Sequence, residues 1–515
     1  MFARAHLLGA AGLLFASPGL CSDRPNVLSI GGDVDEVATS PYVLPEGVTY
    51  RRVVRGGGAA AVTWFISFGV ARDEYEKEDA TRCGKALGVQ LEERRFLWPG
   101  AANDDYFEIT AGRFATRAEA LLALHRLEGQ SGCEARVTAS GLYSDQSSGP
   151  WVVHVVEIDP SQFDGGMMVG KTTGTVAGRG KVSDLARQFD AVVAINGGYF
   201  VMEPTDGIVG EPTSLSIFAR ALQSEPKKSR PWILFGDPSK AGAEVRYSSE
   251  DVIPMLIWSD GQIDYLDGVN RSPHFLRDCG ALGGGVFSQV WHDETCPGQN
   301  QLVVLNSDAG FSLVPDDNTL LASIPMTTGC PGCSTATGTI TVIATGERRA
   351  SLEARLQRNL TARVSVPLLD RAADVQAVSG GPALLRQGLP VRNESSEGWP
   401  FMSATRAQAN SMHRFVTLRA PRTAVGTRAD GGVVLVVVDG WRFADDRQSA
   451  MPMNGGATIE ELRSIMADLG VVDAINLDGG GSSVLVIDGA VVSNPSDKEG
   501  ERAVGDAILL VPHAG

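Results

Sequence analysis

The sequence has few histidines, few cysteines and no long apolar run beyond its N-terminus. Its seven histidines show no HxxxH or similar spacing, which argues against a histidine-ligated metal. Lys and Arg total 45 against 61 Asp and Glu, and this net charge of −16 argues against nucleic acid or an anionic membrane surface as a partner. No later segment is apolar enough to predict a membrane-spanning helix. We predict no cofactor, although a calcium ion held by Asp and backbone oxygens stays open.

The first 22 residues are typical of a secretory signal peptide. Arg4 supplies the positive charge, residues 7–15 form a short apolar core, and residues 17–22 supply small side chains for cleavage. The apolar core is too short for a stable membrane anchor. We therefore predict an exported protein, periplasmic or secreted.

The seven cysteines agree with export. A lipoprotein anchor at Cys21 fits less well, because Leu20 is bulky where a small residue is usual. The other six fall into neighbouring sets: Cys83 with Cys133, Cys279 with Cys296, and Cys330 with Cys333. An even number in an exported protein favours disulfides. For the lone CxxC we favour a local disulfide over a redox or metal site, because no second pair or histidine lies near it.

A chain of 515 residues exceeds one compact core, so we predict at least two domains. Residues 23–61 are rich in Gly and Pro without a sustained period, and we interpret them as a linker. Residues 62–140 form a compact unit, and residues 151–513 form a large unit rich in strands. The mixture of strands with a few helices predicts α+β folds rather than a doubly wound sheet.

The compact unit alternates strands with helices. The predicted elements are a strand over Val62–Gly69, a helix over Asp73–Leu87, a strand over Phe107–Phe114, a helix that begins after Thr116 and a last strand over Cys133–Ala139. Thr116 and Glu119 have the spacing of a capping box. In the large unit, Glu461 follows Thr458 at the same distance and predicts a helix there.

A strand followed by glycine and a helix occurs twice in residues 62–140. The repeated segments are Ile66–Gly69, and Ala111–Phe114 with Ala118–Ala120 after it. This repetition resembles the sporulation-related repeat (SPOR) domain, which has a ferredoxin-like α+β fold. The resemblance implies binding to bacterial peptidoglycan. The alternative is a small accessory domain without affinity for the cell wall.

The most unusual stretch of the large unit runs from Ala474 to Ile487. An apolar strand leads to Asn476 and Asp478, whose spacing places both side chains on one side of a strand. Gly479, Gly480 and Gly481 follow, and then Ser482. Successive backbone N–H groups in such a turn can form an anion-binding nest. The alternative is a glycine-rich hairpin without a ligand.

Two other apolar strands end in similar turns, at Asn196-Gly197-Gly198 and at Asp439-Gly440. Strand ends gathered at one edge of a sheet commonly form a pocket. Arg422, followed by Thr423, could hold a phosphate with a planar pair of donors. Asn and Asp side chains suit sugar hydroxyls. The sequence therefore predicts a ligand that contains both sugar and phosphate.

These motifs together resemble the phosphodiester glycosidase family. The segments that carry the resemblance are Ala194–Phe200, Gly210–Pro212, Ser379–Pro382, Arg422–Gly426, Val438–Gly440, Asn476–Ser483, Asn494–Asp497 and Glu501–Arg502. They span most of residues 151–513 in the family's order. One departure is Trp441, which stands where the family commonly has Arg.

The resemblance implies hydrolysis of a sugar-1-phosphodiester, of the GlcNAc-1-phosphate type, at the anomeric C–O bond. A carboxylate must activate water or stabilise the sugar cation. We assign this role first to Asp478, then to Asp439, with Glu211 as a third candidate. Arg422 would stabilise the departing phosphate. The predicted substrate-binding residues are Asn196, Gly197, Gly198, Thr423, Asn476, Gly479, Gly480, Gly481 and Ser482.

Several of these residues have structural alternatives. Asp478 and Asp439 could cap their turns through Asx bonds. Arg422 could pair with Asp497 or Glu501. A protein that binds peptidoglycan or another polysaccharide without cutting it is the alternative function.

Overall fold

The computed structural model describes residues 28–513, apart from 31–34, 57–62, 98–104, 128–134, 140–148, 272–300, 306–318, 326–338, 398–414, 441–454 and gaps of one to three residues. The predicted signal peptide, Trp441 and all seven cysteine side chains lie outside the described residues. The disulfides therefore stay predictions.

The described strands, in chain order, are β1 (Asp35–Thr39), β2 (Val48–Arg55), β3 (Trp64–Ala71), β4 (Leu91–Leu97), β5 (Asp105–Phe114), β6 (Arg136–Ala139), β7 (Trp151–Ile158), β8 (Gly165–Gly170), β9 (Val193–Asn196), β10 (Ser216–Phe218), β11 (Ala221–Ser224), β12 (Trp232–Phe235), β13 (Ala243–Arg246), β14 (Met255–Trp258), β15 (Ile263–Tyr265), β16 (Gly268–Val269), β17 (Leu302–Leu305), β18 (Thr319–Pro325), β19 (Thr339–Thr345), β20 (Ala362–Ser365), β21 (Gln376–Ser379), β22 (Ala383–Arg386), β23 (Leu389–Pro390), β24 (Arg422–Arg428), β25 (Val433–Val438), β26 (Val471–Asn476), β27 (Leu485–Ile487), β28 (Ala490–Val491) and β29 (Ala507–Pro512). The described helices are α1 (Glu74–Ala86), α2 (Arg117–Leu127), α3 (Val182–Gln188), α4 (Gly346–Gln357), α5 (Pro367–Arg371) and α6 (Ile459–Asp468), with 3-10 turns at Glu250–Val252, Glu394–Glu397 and Gly480–Ser482.

The small unit has the strand and helix order of a split βαβ fold. Its sheet order is β4-β5-β3-β6, with every described pair antiparallel, which is the ferredoxin-like arrangement. The predicted capping box is present: Glu119 N–H donates to Thr116 Oγ1 (3.2 Å), and Thr116 N–H donates to the Glu119 carboxylate (3.1 Å). The sequence analysis missed β4, because this edge strand is rich in charged residues and lacks an apolar alternation.

The interpretation of residues 23–61 as a linker is wrong for the described part. β2 lies in that segment and pairs antiparallel with β7 along its whole length, from Val48 opposite Ile158 to Arg55 opposite Trp151. β1 pairs with β2 at the edge of the same sheet. The small unit is therefore inserted between two neighbouring strands of the large sheet.

The large unit is built on an eight-stranded sheet with the order β1-β2-β7-β25-β24-β26-β22-β23. The sequence of β25 is wholly apolar because both faces of this strand are covered. Val433, Leu435 and Val437 face the core shared with the other sheets. The intervening valines pack with α6, whose buried Ile465 and Met466 each contribute about 2 kcal/mol of hydrophobic stabilisation.

A second, five-stranded sheet with the order β28-β27-β9-β29-β8 packs against the first. Its outer face is covered by α3, through Val182 and Leu185. The centre of the unit therefore has four layers, helix, sheet, sheet and helix. Another five-stranded sheet, with the order β11-β10-β21-β12-β13, and two smaller sheets complete the large unit. The β16–β17 pair is parallel, whereas the other described strand pairs are antiparallel. This mixture agrees with the predicted α+β class.

The predicted capping box of α6 is also present. Thr458 Oγ1 accepts from Glu461 N–H, and Thr458 N–H donates to the Glu461 carboxylate, each at 3.0 Å. The same carboxylate pairs with Arg419, which is 1% exposed and lies over the Trp151 ring. The cap therefore ties the start of α6 to the segment that leads into β24.

Candidate active site

The predicted turns meet at one edge of the two packed sheets. β25 and β26 end there and β24 begins there, because Arg422 lies opposite Val438 and Ala424 lies opposite Asn476. In the second sheet, β9 ends at the same place, with Asn196 opposite Ala507 of β29. Segments from distant parts of the chain therefore converge, as the sequence analysis expected.

Asn196 joins the two sheets at this edge. Its Nδ2 donates to the Asp478 carbonyl (2.8 Å), and its Oδ1 accepts from Thr423 Oγ1 (2.7 Å) and from Val484 N–H (3.2 Å). Asn196 and Thr423 have no exposed surface. Both residues therefore stabilise the turn at Asp478 from the protein interior. This placement does not support their predicted contact with a ligand.

Asn476 lies in a second buried polar group. Its Nδ2 donates to Tyr199 Oη and to the Gly381 carbonyl, each at 2.8 Å, and Tyr199 Oη donates to the same carbonyl. Burial raises the pKa of Tyr199, so the phenol stays protonated. Asn476 Oδ1 is buried and makes no hydrogen bond among the described residues. Asn476 therefore stabilises the end of β26 from within the protein and has no exposed surface to offer a ligand.

Asp478 is the predicted carboxylate that keeps partial exposure. Its Oδ1 accepts a hydrogen bond from Gly479 N–H (2.9 Å), so Asp478 also caps its own turn, which was the structural alternative. Burial raises the pKa of Asp478 to about 6, against the opposing effects of the Ser482 and Gly479 hydrogen bonds and of the Arg502 charge. A carboxyl group with this pKa can exchange a proton near neutral pH, which suits acid–base chemistry.

The glycine-rich turn is not the predicted anion nest. Gly479 N–H bonds the Asp478 carboxylate, and Gly480 N–H donates to the Pro421 carbonyl (2.9 Å). Two of the three glycine N–H groups are therefore used within the turn. A Cβ at Gly481 would lie 2.0 Å from Asp497 Oδ1, so this glycine lets an ion pair approach the backbone.

The other glycine pair serves Asp506, which the sequence analysis did not consider. Gly197 N–H donates to the Asp506 carbonyl (3.0 Å), and Gly198 N–H donates to its Oδ1 (2.9 Å). A Cβ at Gly197 would lie 2.1 Å from the same Oδ1. These N–H groups are therefore not available to a substrate, and the glycines permit close packing of the carboxylate.

Glu211 belongs to a buried charge cluster with Asp506 and Lys171. Glu211 is 1% exposed and Lys171 is 2% exposed. Lys171 Nζ donates to the Gly505 carbonyl (3.0 Å), and burial lowers the pKa of Lys171 while the two acids oppose that shift. Because Glu211 is enclosed with a compensating cation, this placement favours a structural role over a catalytic one.

Asp439 is buried and bonded on both oxygens. Oδ2 lies 3.1 Å from His154 Nε2, and Oδ1 accepts from Asn494 N–H (2.8 Å). His154 Nδ1 lies 2.9 Å from Tyr50 Oη, and burial raises the pKa of Tyr50 to about 12. The sequence analysis missed His154 and Tyr50. His154 was the one detectable signal, since it interrupts the apolar run of β7.

Arg422 is 1% exposed, and backbone carbonyls surround its guanidinium. Nε donates to Ala457 O (2.9 Å), and Nη2 donates to Leu418 O (3.0 Å) and to Phe415 O. Burial lowers the pKa of Arg422 to about 10, which still leaves it charged at neutral pH. No pairing with Asp497 or Glu501 occurs, and the predicted contact with phosphate is not supported by this placement.

Arg502 is the cation whose charge acts to lower the pKa of Asp478. Its Nε and Nη2 donate to the two oxygens of Asp497 at 2.7 and 2.8 Å, and Nη1 lies 3.4 Å from Ser482 Oγ. Its side chain is 25% exposed. In the sequence, Arg502 is notable only as part of the Glu501–Arg502 segment, and Glu501 itself accepts hydrogen bonds from Ser183 on α3.

No group of three or more His, Cys, Asp or Glu side chains in the described part of the chain is arranged to hold a metal ion. Among the same residues, no helix has the length and apolar character needed to cross a membrane.

Comparison with known proteins identifies the C-terminal part of the chain. Residues 321–511 match the family described as Phosphodiester glycosidase. N-acetylglucosamine-1-phosphodiester alpha-N-acetylglucosaminidase from Bos taurus is 36% identical over 123 residues, which are 24% of this chain and 21% of that protein. The Homo sapiens protein of the same name is 34% identical over 127 residues, again 24% and 21% of the two chains. The match thus spans about a fifth of the length of these relatives.

A candidate exported protein from Burkholderia pseudomallei K96243 has a similar structure, with a TM-score of 0.75, 25% identity, and 95% of this chain and 99% of that chain covered. A hypothetical protein from Synechocystis shares the fold, with a TM-score of 0.51 and 16% identity over 93% and 80% of the two chains. The sequence resemblance drawn over residues 151–513 is therefore matched by the family over 321–511, and Asn196 and Glu211 precede that range.

Proposed function

We propose that this chain is a phosphodiester glycosidase that hydrolyses a sugar-1-phosphodiester, because residues 321–511 match that family. The observation that carries the proposal is Asp478, a partly exposed residue at the meeting point of two sheets, whose carboxyl group has a pKa raised to about 6 by burial against the opposing charge of Arg502. We propose a linkage of the GlcNAc-1-phosphate type, because the relatives that match are named for it.

In the proposed reaction, water attacks the anomeric carbon while the bond from that carbon to the bridging phosphate oxygen breaks. The bonding electrons leave with the phosphate monoester, which is already a stable anion and needs little protonation. Asp478 accepts the proton that water loses and passes it to solvent. The products are the free sugar, which carries the new anomeric hydroxyl, and a phosphate monoester. The step needs no cofactor.

The direct test is incubation of the purified protein with UDP-N-acetylglucosamine or a GlcNAc-1-phosphodiester, followed by measurement of free sugar. Hydrolysis is supported if the wild-type protein releases free sugar and the Asp478→Asn variant does not. The alternative is a protein that holds glycan without cutting it. Saturable binding of the intact substrate without release of sugar would establish this alternative.

We further propose that residues 62–140 bind peptidoglycan and direct the enzyme to the cell wall. The ferredoxin-like order of the small sheet supports a SPOR-type domain. The test is co-sedimentation of the full chain with purified peptidoglycan, compared with a variant in which a short Gly/Ser loop replaces residues 57–148 and joins β2 to β7 directly. Equal sedimentation of both forms would refute wall binding by this unit.

Localisation in the periplasm or outside the cell follows from the same proposal. The candidate exported protein of similar structure supports it, as does the predicted signal peptide. Fractionation of cells that express the full chain tests it, and recovery in the cytosol alone would contradict it.

A further inference from the structure

Two arginines lie near the turn that carries Asp478, and their surroundings differ. Arg422 is buried, and three of its hydrogen bonds go to backbone carbonyls. A guanidinium in that position cannot reach a ligand unless the segment from Phe415 to Leu418 moves. Arg502 keeps a quarter of its side chain exposed and is anchored by a side chain rather than by the backbone. Arg502 is therefore the better candidate for contact with a charged ligand.

The donors of Arg502 are only partly used. A guanidinium has five N–H donors, and Asp497 takes two of them through Nε and Nη2. Among the described residues, Nη1 has only long contacts, to Ser482 Oγ (3.4 Å) and Met202 Sδ (3.9 Å). The Nη1 and Nη2 edge therefore retains donors in the planar arrangement that suits an oxyanion.

The position of Arg502 is built rather than incidental. Asp497 fixes the rotation of the guanidinium through two hydrogen bonds, which lowers the entropy lost when a ligand binds. A Cβ at Gly481 would lie 2.2 Å from Arg502 Nη2, so only glycine lets the turn and the guanidinium approach this closely. Ser482 bonds the Asp478 carboxyl and also lies beside Nη1, so it connects the two charged groups.

The neighbouring backbone leaves space for a ligand. Gly480 has a φ of +61°, and a Cβ there would meet no atom of the described residues within 4 Å. The adjacent Gly479 and Gly481 would each meet an atom within 3 Å. The open position in this turn therefore lies between the carboxylate at Asp478 and the glycine that contacts Arg502.

We infer that Arg502, oriented by Asp497, binds the phosphate group of the substrate, the role that the sequence suggested for Arg422. This inference rests on the proposed function for the identity of the substrate, but the anion site itself can be tested without turnover. In this arrangement Asp478 faces the anomeric carbon, and Arg502 stabilises the charge that collects on the leaving phosphate.

The test compares Arg502→Gln with Arg392→Gln. Arg392 makes the same side-on pair with a carboxylate, that of Glu460 on α6, and its side chain is 38% exposed. With UDP-N-acetylglucosamine we expect kcat/KM to fall about 100-fold for Arg502→Gln and to stay within about twofold for Arg392→Gln. Arg502→Lys should lose most of the same rate, because an ammonium cannot bond Asp497 and a phosphate in one plane.

Inorganic phosphate provides a readout without chemistry. Calorimetric titration should show that wild-type protein and Arg392→Gln bind phosphate, and that Arg502→Gln binds it at least about tenfold more weakly. Equal binding by all three proteins, or no binding by the wild type at millimolar phosphate, would overturn the inference. Loss of binding in Arg502→Gln alone, in a protein that releases no sugar from any diester, would retain the anion site while the proposed reaction fails.

Discussion

Asn196 donates a 2.8 Å hydrogen bond from its side-chain amide to the carbonyl of Asp478, 282 residues later in the chain. This bond joins the end of β9 in one sheet to the turn after β26 in the other. It holds the backbone of Asp478, a residue that stays partly exposed.

Asp478→Asn should abolish sugar release without unfolding the protein. An amide oxygen can still accept from Gly479, and the substitution removes a carboxylate whose ionised form is disfavoured by burial. We therefore expect activity to fall by at least about 1,000-fold, with a Tm at pH 7 equal to or above that of the wild type. Asp430→Asn is the control, because Asp430 also accepts a backbone N–H in a turn, at an exposed site. A joint loss of activity and Tm would favour a purely structural role for Asp478.

The pKa of Asp478 predicts opposite pH dependences for activity and stability. If the ionised carboxylate is the base, kcat/KM should rise as the pH increases through about 6. Between about pH 4 and 6 the folded state holds a proton that the unfolded state has released. The contribution of Asp478 to stability is therefore present at low pH and is lost as the pH rises through 6. Rate profiles and thermal melts from pH 4 to 8 test both trends, and a rate that falls through pH 6 would make Asp478 an acid instead.

His154→Phe should destabilise the protein, because it leaves the buried Asp439 with only the Asn494 N–H among its described partners. An unsatisfied buried acceptor costs about 1–3 kcal/mol. His513→Phe is the matched control, since His513 bonds Asp164 at 2.7 Å on the surface, and we expect a change below about 0.5 kcal/mol there. Urea unfolding measures both, and equal small effects would show that the buried pair contributes little.

The same variants test whether Asp439 takes part in the reaction. If Asp439 acts on the substrate, His154→Phe should lower kcat at temperatures where the variant stays fully folded. A supporting role predicts lower stability with unchanged kcat under those conditions.

Gly480→Ala should lower activity, because the added methyl group would fill the open space beside the Gly479–Gly481 turn. Both Gly480 and Gly388 have positive φ, +61° and +78°, and at either position a Cβ would meet no atom within 4 Å in the described part of the chain. The backbone cost should therefore be similar, about 1 kcal/mol in each case. We expect kcat/KM to fall only for Gly480→Ala, because its methyl group occupies ligand space. Equal activities of the two variants would mean that the open position is not used by the substrate.

Local patterns identified many elements but not all of them. The helices after Thr116 and Thr458 were predictable, because a capping box depends on residues three apart. β2 was missed, because its burial comes from pairing with β7 about a hundred residues later. β4 was missed because its charged sequence resembles a loop. In both strands, tertiary pairing outweighs local preference.

The candidate site divides in the same way. The sequence identified the turns that meet, because strand ends rich in Gly, Asn and Asp are visible without a structure. It could not separate side chains that face a ligand from those that face the protein, so Asn196, Asn476 and Arg422 were all assigned to the substrate. Their side-chain donors are instead bonded to carbonyl groups of the protein.

By itself, the sequence determined the α+β class, the division into a small and a large unit, the family resemblance and the choice of Asp478 as the candidate carboxylate. These follow from composition and from motifs whose parts are close in the chain. Only the tertiary structure decided that Arg502, rather than Arg422, has donors to spare, and that His154 supports Asp439. The physical reason is that burial and hydrogen-bond partners are set by the packing of distant segments, and those quantities decide which polar groups remain available for chemistry.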